Sequence, residues 1–216
     1  MAEVINGILI NEVETKNIMT KSSLPVGGYS VNPYVGCTHA CKYCYASFMK
    51  RFTGHKEEWG TFLDVKHWPE IKNPKKYAGQ RVVIGSVTDG YNPQEEQFGN
   101  TRKLLEQLIG SDAEILICTK SDLVVRDIDL LKKLGRVTVS WSINTLDENF
   151  KNDMDSASSI ERRITFTYFL SNCSRYLFNQ FSCYHSRVDT YTSTPITLDS
   201  PLLFIYMNVP IVTGIL

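Results

Sequence analysis

The sequence lacks any bias of charge: its 23 basic and 23 acidic residues cancel. That removes a global electrostatic case for a nucleic-acid or membrane partner, while leaving room for a local basic face. A secretory leader is also missing, because "MAEVINGILINEVETKN" mixes charges into its apolar residues. No apolar run is long enough to span a bilayer. The nearest approach, "PLLFIYMNVPIVTGIL", is 16 residues with an internal proline. These absences predict a cytoplasmic chain with no membrane partner, in which thiols stay reduced. Clustered cysteines in that setting are more often metal ligands or catalytic groups than disulfides.

A second absence is local. From Ile164 to Leu216 there is no Lys, no Glu and no Ala, and the only charges are Arg175, Arg187, Asp189 and Asp199. The chain therefore divides into a core, 1–163, with an extended lead-in over 1–31, and an atypical tail, 164–216. Ser158 and Glu161 have capping-box spacing and should start a helix. The next residues, "ITFTYFLSNCSRYLFNQFSCYHS", are poor in helix formers, so the start signal is expected to lead nowhere. The favoured expectation is a frameshifted or otherwise aberrant, poorly ordered end. The alternative is a genuine β-rich or membrane-touching extension.

The core itself is legible. "RVVIGSV" (81–87), "AEILICTK" (113–120) and "RVTVSWSIN" (136–144) read as buried strands. Between them, 93–110 and 121–135 read as helices, with Leu104, Leu105 and Leu108 on one face of the first. Ser121 or Asp122 caps the second, and Gly110 and Gly135 stop the two helices. With the run "YSVNPYVG" ahead of them, this predicts an α/β fold with a parallel layer or barrel, whose chemistry lies beyond the C-terminal strand ends. The loops after all four strands fall there, which suggests a single site. A barrel that stops after about four β/α units would leave strand 136–144 with an exposed edge unless the tail covers it.

Cys37, Cys41 and Cys44 form C-x3-C-x2-C within "NPYVGCTHACKYCYA". A structural zinc site wants four ligands, usually in two pairs, and the second pair is missing. His39 and His55 are near, while Cys118, Cys173 and Cys183 are remote and lack knuckle spacing. Three thiolates on one tight loop suit an iron–sulfur cluster, in which each cysteine holds one iron and one iron is left open to a small molecule. Zinc at the three cysteines plus His39 or His55, in a non-catalytic module, is the rival.

The cysteine motif with Tyr43 before its last Cys resembles the radical S-adenosylmethionine (SAM) superfamily. Together with "VTDGYNPQEE", "ICTKSDLVVRDIDLL" and "VSWSINTLDE", it looks like the spore-photoproduct-lyase-like branch, and closer still the group called radical SAM mobile pair protein B. The resemblance spans about residues 24–163. It implies a partial (β/α) barrel of radical SAM type, truncated after about four units. It also implies a [4Fe–4S] cluster on the three cysteines, with SAM on the open iron. Reductive cleavage of SAM would give a 5′-deoxyadenosyl radical that abstracts hydrogen from a substrate, with an electron donor such as flavodoxin or ferredoxin. By the same resemblance Tyr43 borders the adenine, and Thr88, Lys120 and Ser142 contact SAM polar groups. Lys120 suits the SAM carboxylate. Thr88 and Ser142 read equally as strand-end hydroxyls capping backbone. Tyr45 matches a hydrogen-relaying tyrosine, or else is a packed aromatic. Asp89, Tyr91, Asn92 and Glu96 face the substrate or shape a turn, and Asn92 departs from the family's usual Gln.

Between Lys42 and Arg81 lie nine basic residues and four acidic ones, with Phe52, Trp59, Trp68 and Tyr77 interspersed. That mixture suits nucleic acid, through phosphate neutralisation and base stacking, and equally suits an ordinary solvated surface. A peptide substrate and a paired radical SAM protein are the other partners considered. An inactive truncated fragment is the remaining alternative.

Overall fold

The structure is a computed structural model that describes residues 3–22, 28–173, 180–184 and 204–212, with side chains up to residue 166. The lead-in is more ordered than its polar composition suggests. It supplies β1 (Glu3–Ile5), β2 (Ile8–Glu14), β3 (Thr20–Lys21), β4 (Tyr29–Val31) and β5 (Tyr34–Val35). After the cysteine loop come a 3-10 segment, Tyr45–Phe52, and β6 (Phe62–His67). The first four β/α layers continue through β7 (Arg81–Ile84), α1 (Glu95–Phe98), α2 (Asn100–Leu108) and β8 (Glu114–Thr119). Next are α3 (Ile128–Leu131), β9 (Arg136–Ile143), α4 (Glu148–Met154) and α5 (Ile160–Cys173), and finally β10 (Gln180–Tyr184) and β11 (Phe204–Val212).

The main sheet has the order β10-β11-β9-β8-β7-β4-β3. Its centre, β4, β7, β8 and β9, is parallel throughout, with helices in the connections. This is an α/β partial barrel of four parallel strands. One face of the sheet is apolar: Val82, Ile84, Ile115, Ile117, Val139 and Trp141 pack with Leu104, Leu105, Leu108 and Leu131 of the helices. Each such side chain contributes about 1.5–3 kcal/mol by leaving water. A smaller sheet, β1-β2-β6-β5, carries its own cluster of Ile10, Tyr34, Leu63 and Val65. It stands beside the cysteine loop and buttresses it.

Four elements depart from the sequence expectation. The helix expected over 93–110 breaks at Gly99, whose φ of 63° is left-handed. Glu95 then turns back to accept the N–H groups of Thr101 and Arg102, satisfying the start of α2 from one turn upstream. The helix expected over 121–135 is a 3-10 turn, Asp122–Asp127, before the short α3. Buried Asp127 explains the tight winding, because Arg102, Arg126 and Tyr91 all bind its carboxylate. Ser121 caps that turn through the Leu123 N–H, as one of the two expected caps.

The helix start near 158 does lead somewhere, since α5 runs to Cys173. Its cap is not the expected box. Glu148 accepts the Ile160 N–H and Ser159 accepts the Arg162 N–H, while Ser158 is engaged with Asp122. The β9 edge is covered as well: β11 pairs antiparallel along all of it, from Ile205 opposite Ile143 to Val212 opposite Arg136. Most of the tail's other residues lie outside the described set, and the question of an aberrant end lies there with them.

Candidate active site

The cysteine loop leaves β5 at Gly36, with φ 86°. A side chain there would put Cβ 2.5 Å from the Phe62 carbonyl oxygen, so only glycine allows the turn against β6. Two tight turns come next, with the Ala40 N–H on the Cys37 carbonyl and the Cys44 N–H on the Cys41 carbonyl. They bring the three half-buried free thiols onto one short stretch beyond the C-terminal ends of β4, β7 and β8. Burial pushes the Cys37 thiol up to about 12 and the Cys41 thiol up to about 11. The Asp89 charge adds to the first effect, and Lys120 works against the second. The backbone amides of His39 and Asp89 work against the rise at Cys37.

Among the described residues no three His, Cys, Asp or Glu side chains converge as ligands for one metal ion. The two histidines of the zinc alternative face carboxylates instead. His39 Nε2 lies 3.1 Å from Asp89, and His55 is held between Glu57 at 3.1 Å and Asp64 at 2.9 Å. Three thiols on one loop suit a cluster in which each holds its own iron.

Behind the loop lies a buried ion cluster that the sequence did not reveal. The Tyr43 hydroxyl donates to Asp155 at 3.0 Å. Burial first, then the neighbouring Cys41 and Asp155, raise the Tyr43 pKa. Asp155 also meets Arg163 at 3.2 Å and Lys151 at 3.6 Å, and all three side chains are buried. Arg163 reaches on to the Ser142 carbonyl at 3.0 Å. Two backbone bonds complete the attachment: the Lys42 N–H on Met154 and the Ser156 N–H on His39. Nothing in the sequence singles out Asp155, Lys151 or Arg163, and only the fold brings them together. The one available signal was the Ser-Ser-x-Glu-Arg-Arg run, which pointed to a helix and not to a site.

The residues predicted for SAM divide. Lys120 Nζ stands 5.6 Å from the Tyr43 ring centre, on the thiol side of the loop. Ser142 is half-buried near the end of β9. The buried Thr88 hydroxyl donates to the Gly36 carbonyl, the backbone-capping reading of this residue. Tyr45 is 71% exposed, and its hydroxyl donates to the Ser86 carbonyl. Tyr91 and Asn92 are buried in the turn, with the Tyr91 hydroxyl 3.2 Å from Asp127, and Glu96 is exposed on α1. Beside Ser86, a cavity of about 460 Å³ opens along β3 and β4, walled by Asn32, Trp59, Lys66 and Thr88 among others. Lys66 donates to the Asn32 carbonyl there at 2.9 Å.

The sequence profile of the Radical SAM superfamily matches residues 31–172, the stretch that runs from the last residue of β4 through the cysteine loop and the parallel strands β7, β8 and β9. This chain belongs to the radical SAM superfamily. A curated relative of this chain, an uncharacterized protein of Methanocaldococcus jannaschii, is 39% identical over 159 residues, covering 73% of this chain and 60% of its own. Another, from Acidianus two-tailed virus, is 36% identical over 148 residues, covering 63% of this chain and 46% of its own. The chain thus spans about half the length of the relatives it matches. Among solved structures, a spore photoproduct lyase mutant with bound AdoMet and dinucleoside spore photoproduct superposes with a TM-score of 0.54 at 14% identity. The match covers 76% of this chain and 48% of that one. A second lyase complex gives 0.52 at 15% identity, covering 74% and 46%. The shared fold is that of a radical SAM partial barrel. Among the described residues no helix is long and apolar enough to cross a membrane.

Proposed function

We propose that this chain is a radical SAM iron–sulfur enzyme of the lyase-like branch. It would cleave SAM reductively to a 5′-deoxyadenosyl radical that takes hydrogen from a nucleic-acid substrate. The observation that carries this reading is the loop of Cys37, Cys41 and Cys44, held at the C-terminal end of the parallel sheet with Lys120 beside it. The three cysteines hold a [4Fe–4S] cluster, which when bound supplies the electron that splits the sulfonium.

The remaining roles belong to the chain's own side chains. Lys120 offers an ammonium to the SAM carboxylate. Tyr43, fixed by Asp155, presents its ring to the adenine, and Ser142 supplies a polar contact near the end of β9. Thr88 acts through Gly36, keeping the loop's entry closed. Tyr45, whose hydroxyl meets the Ser86 carbonyl beside the cavity, passes hydrogen to a bound substrate. Support for nucleic acid comes from Phe48 and Phe52, both exposed, with the Arg51 guanidinium 5.4 and 4.7 Å from their ring centres. Exposed aromatics beside cations suit base stacking and phosphate contact. A low-potential donor of flavodoxin or ferredoxin type and a reducing, cytoplasmic setting belong to the same proposal.

Anaerobic reconstitution followed by a product assay is the test. The expected result is about four irons and four sulfides per chain, a brown chromophore, and 5′-deoxyadenosine on reduction with SAM present. A colourless protein that binds one zinc, or a full cluster that releases no 5′-deoxyadenosine, would refute the proposal.

A further inference from the structure

Asp89 reads in sequence as facing the substrate or shaping a turn, and among the described residues no carboxylate beside the cysteine loop is more heavily engaged. Its side chain is 9% exposed. Oδ1 accepts the Tyr91 N–H at 2.9 Å and the Thr119 hydroxyl at 2.8 Å. Oδ2 accepts the Lys120 N–H at 2.7 Å and lies 3.1 Å from His39 Nε2. These contacts join the cysteine loop, the turn after β7 and the end of β8 at one carboxylate. The Tyr91 and Lys120 N–H groups and the Thr119 hydroxyl all donate, which is the environment of an ionised group. Burial alone would raise the Asp89 pKa, but the facing His39 and the two N–H groups leave it below the usual carboxylate value. The carboxylate therefore sits against the cysteine loop through His39, two positions after Cys37, and against the end of β8 through Thr119 and Lys120.

A cluster that takes one electron gains one negative charge. A fixed anion a short distance away, in a poorly screened site, opposes that gain and lowers the reduction potential. We propose that Asp89 is a positioning residue that holds the cluster's potential low while locking His39 and Lys120 to the loop. This rests on the radical SAM reading above. The step is a one-electron transfer from an external low-potential donor to the cluster, with no bond made or broken in the protein.

The test compares the full-length chain with Asp89→Asn and Thr119→Val, all reconstituted anaerobically with iron and sulfide. Iron is counted, and the midpoint potential is read by electron paramagnetic resonance during titration with dithionite. Asn keeps the shape and loses the charge, so its cluster should shift to a more positive potential at the same iron count. Thr119→Val removes one donor and keeps the charge, so its potential should stay at or below that of the unsubstituted protein. Equal potentials for Asp89→Asn and the unsubstituted protein overturn the inference and leave the enzyme reading standing. If Asp89→Asn takes up no iron, Thr119→Val decides, and a positive shift there overturns it. Failure of the unsubstituted chain to load a cluster overturns both.

Discussion

Lys120 Nζ stands over the Tyr43 ring, and its charge lowers the pKa of the Cys41 thiol against the effect of burial. A cation so placed, beyond the end of β8, serves a carboxylate better than any neighbouring side chain does. Replacing it with Met should weaken SAM binding by about tenfold or more, the cost of one charge-assisted hydrogen bond. The iron count should stay unchanged, and equilibrium binding of SAM to the reconstituted protein checks both. The place of this residue was legible in the sequence because a strand end fixes where the next side chain goes. The closeness of the three thiols was legible for a stronger reason, since eight residues with two tight turns keep them together. Thr88 was only half legible: its hydroxyl suits a ligand or a carbonyl, and the nearby Gly36 carbonyl, 52 positions away, decides.

At the scale of elements, the attachment of the loop to the α4–α5 connection matters most. Asp155 neutralises two buried cations and accepts from Tyr43. Replacing it with Ala leaves Lys151 and Arg163 buried without that carboxylate, at a cost of about 3–5 kcal/mol. Thermal or denaturant unfolding should show that loss, and the cluster should leave faster on chelator challenge, because the loop loses the tyrosine that anchors it. The sequence could not show this group. Burial of an ion cluster depends on partners 4 to 112 positions apart, and each member looks like surface charge in isolation. The same limit explains the helices. Periodicity located 93–110 and 121–135, but Gly99 and the buried carboxylate of Asp127 set where the winding changes.

For the whole molecule, the parallel sheet has two ends to protect. The β4 end carries the two-residue β3. The β9 end is longer, and β11 covers all eight of its residues. Removing residues 174–216 should therefore expose a flat, apolar edge and drive self-association, seen as a concentration-dependent rise in mass by light scattering. A monomeric truncated chain would show that β11 is dispensable. The parallel order β4-β7-β8-β9 was legible because buried strands, helical runs and glycine stops alternate along the chain. The antiparallel closure was not, since the tail carries no periodic pattern that ties it to β9.

The backbone bonds from His39 and Lys42 to residues 154–156 also set an order of events in time. The cysteines are made early, yet the side chain that anchors them lies 112 positions later. On a ribosome the loop emerges long before its support. Until α4 and the start of α5 are synthesised, the thiols sit on an untethered turn, open to oxidation and to stray metals. On the proposed reading, delivery of iron and sulfide would wait for the fourth unit, or be shielded by a carrier until that unit arrives.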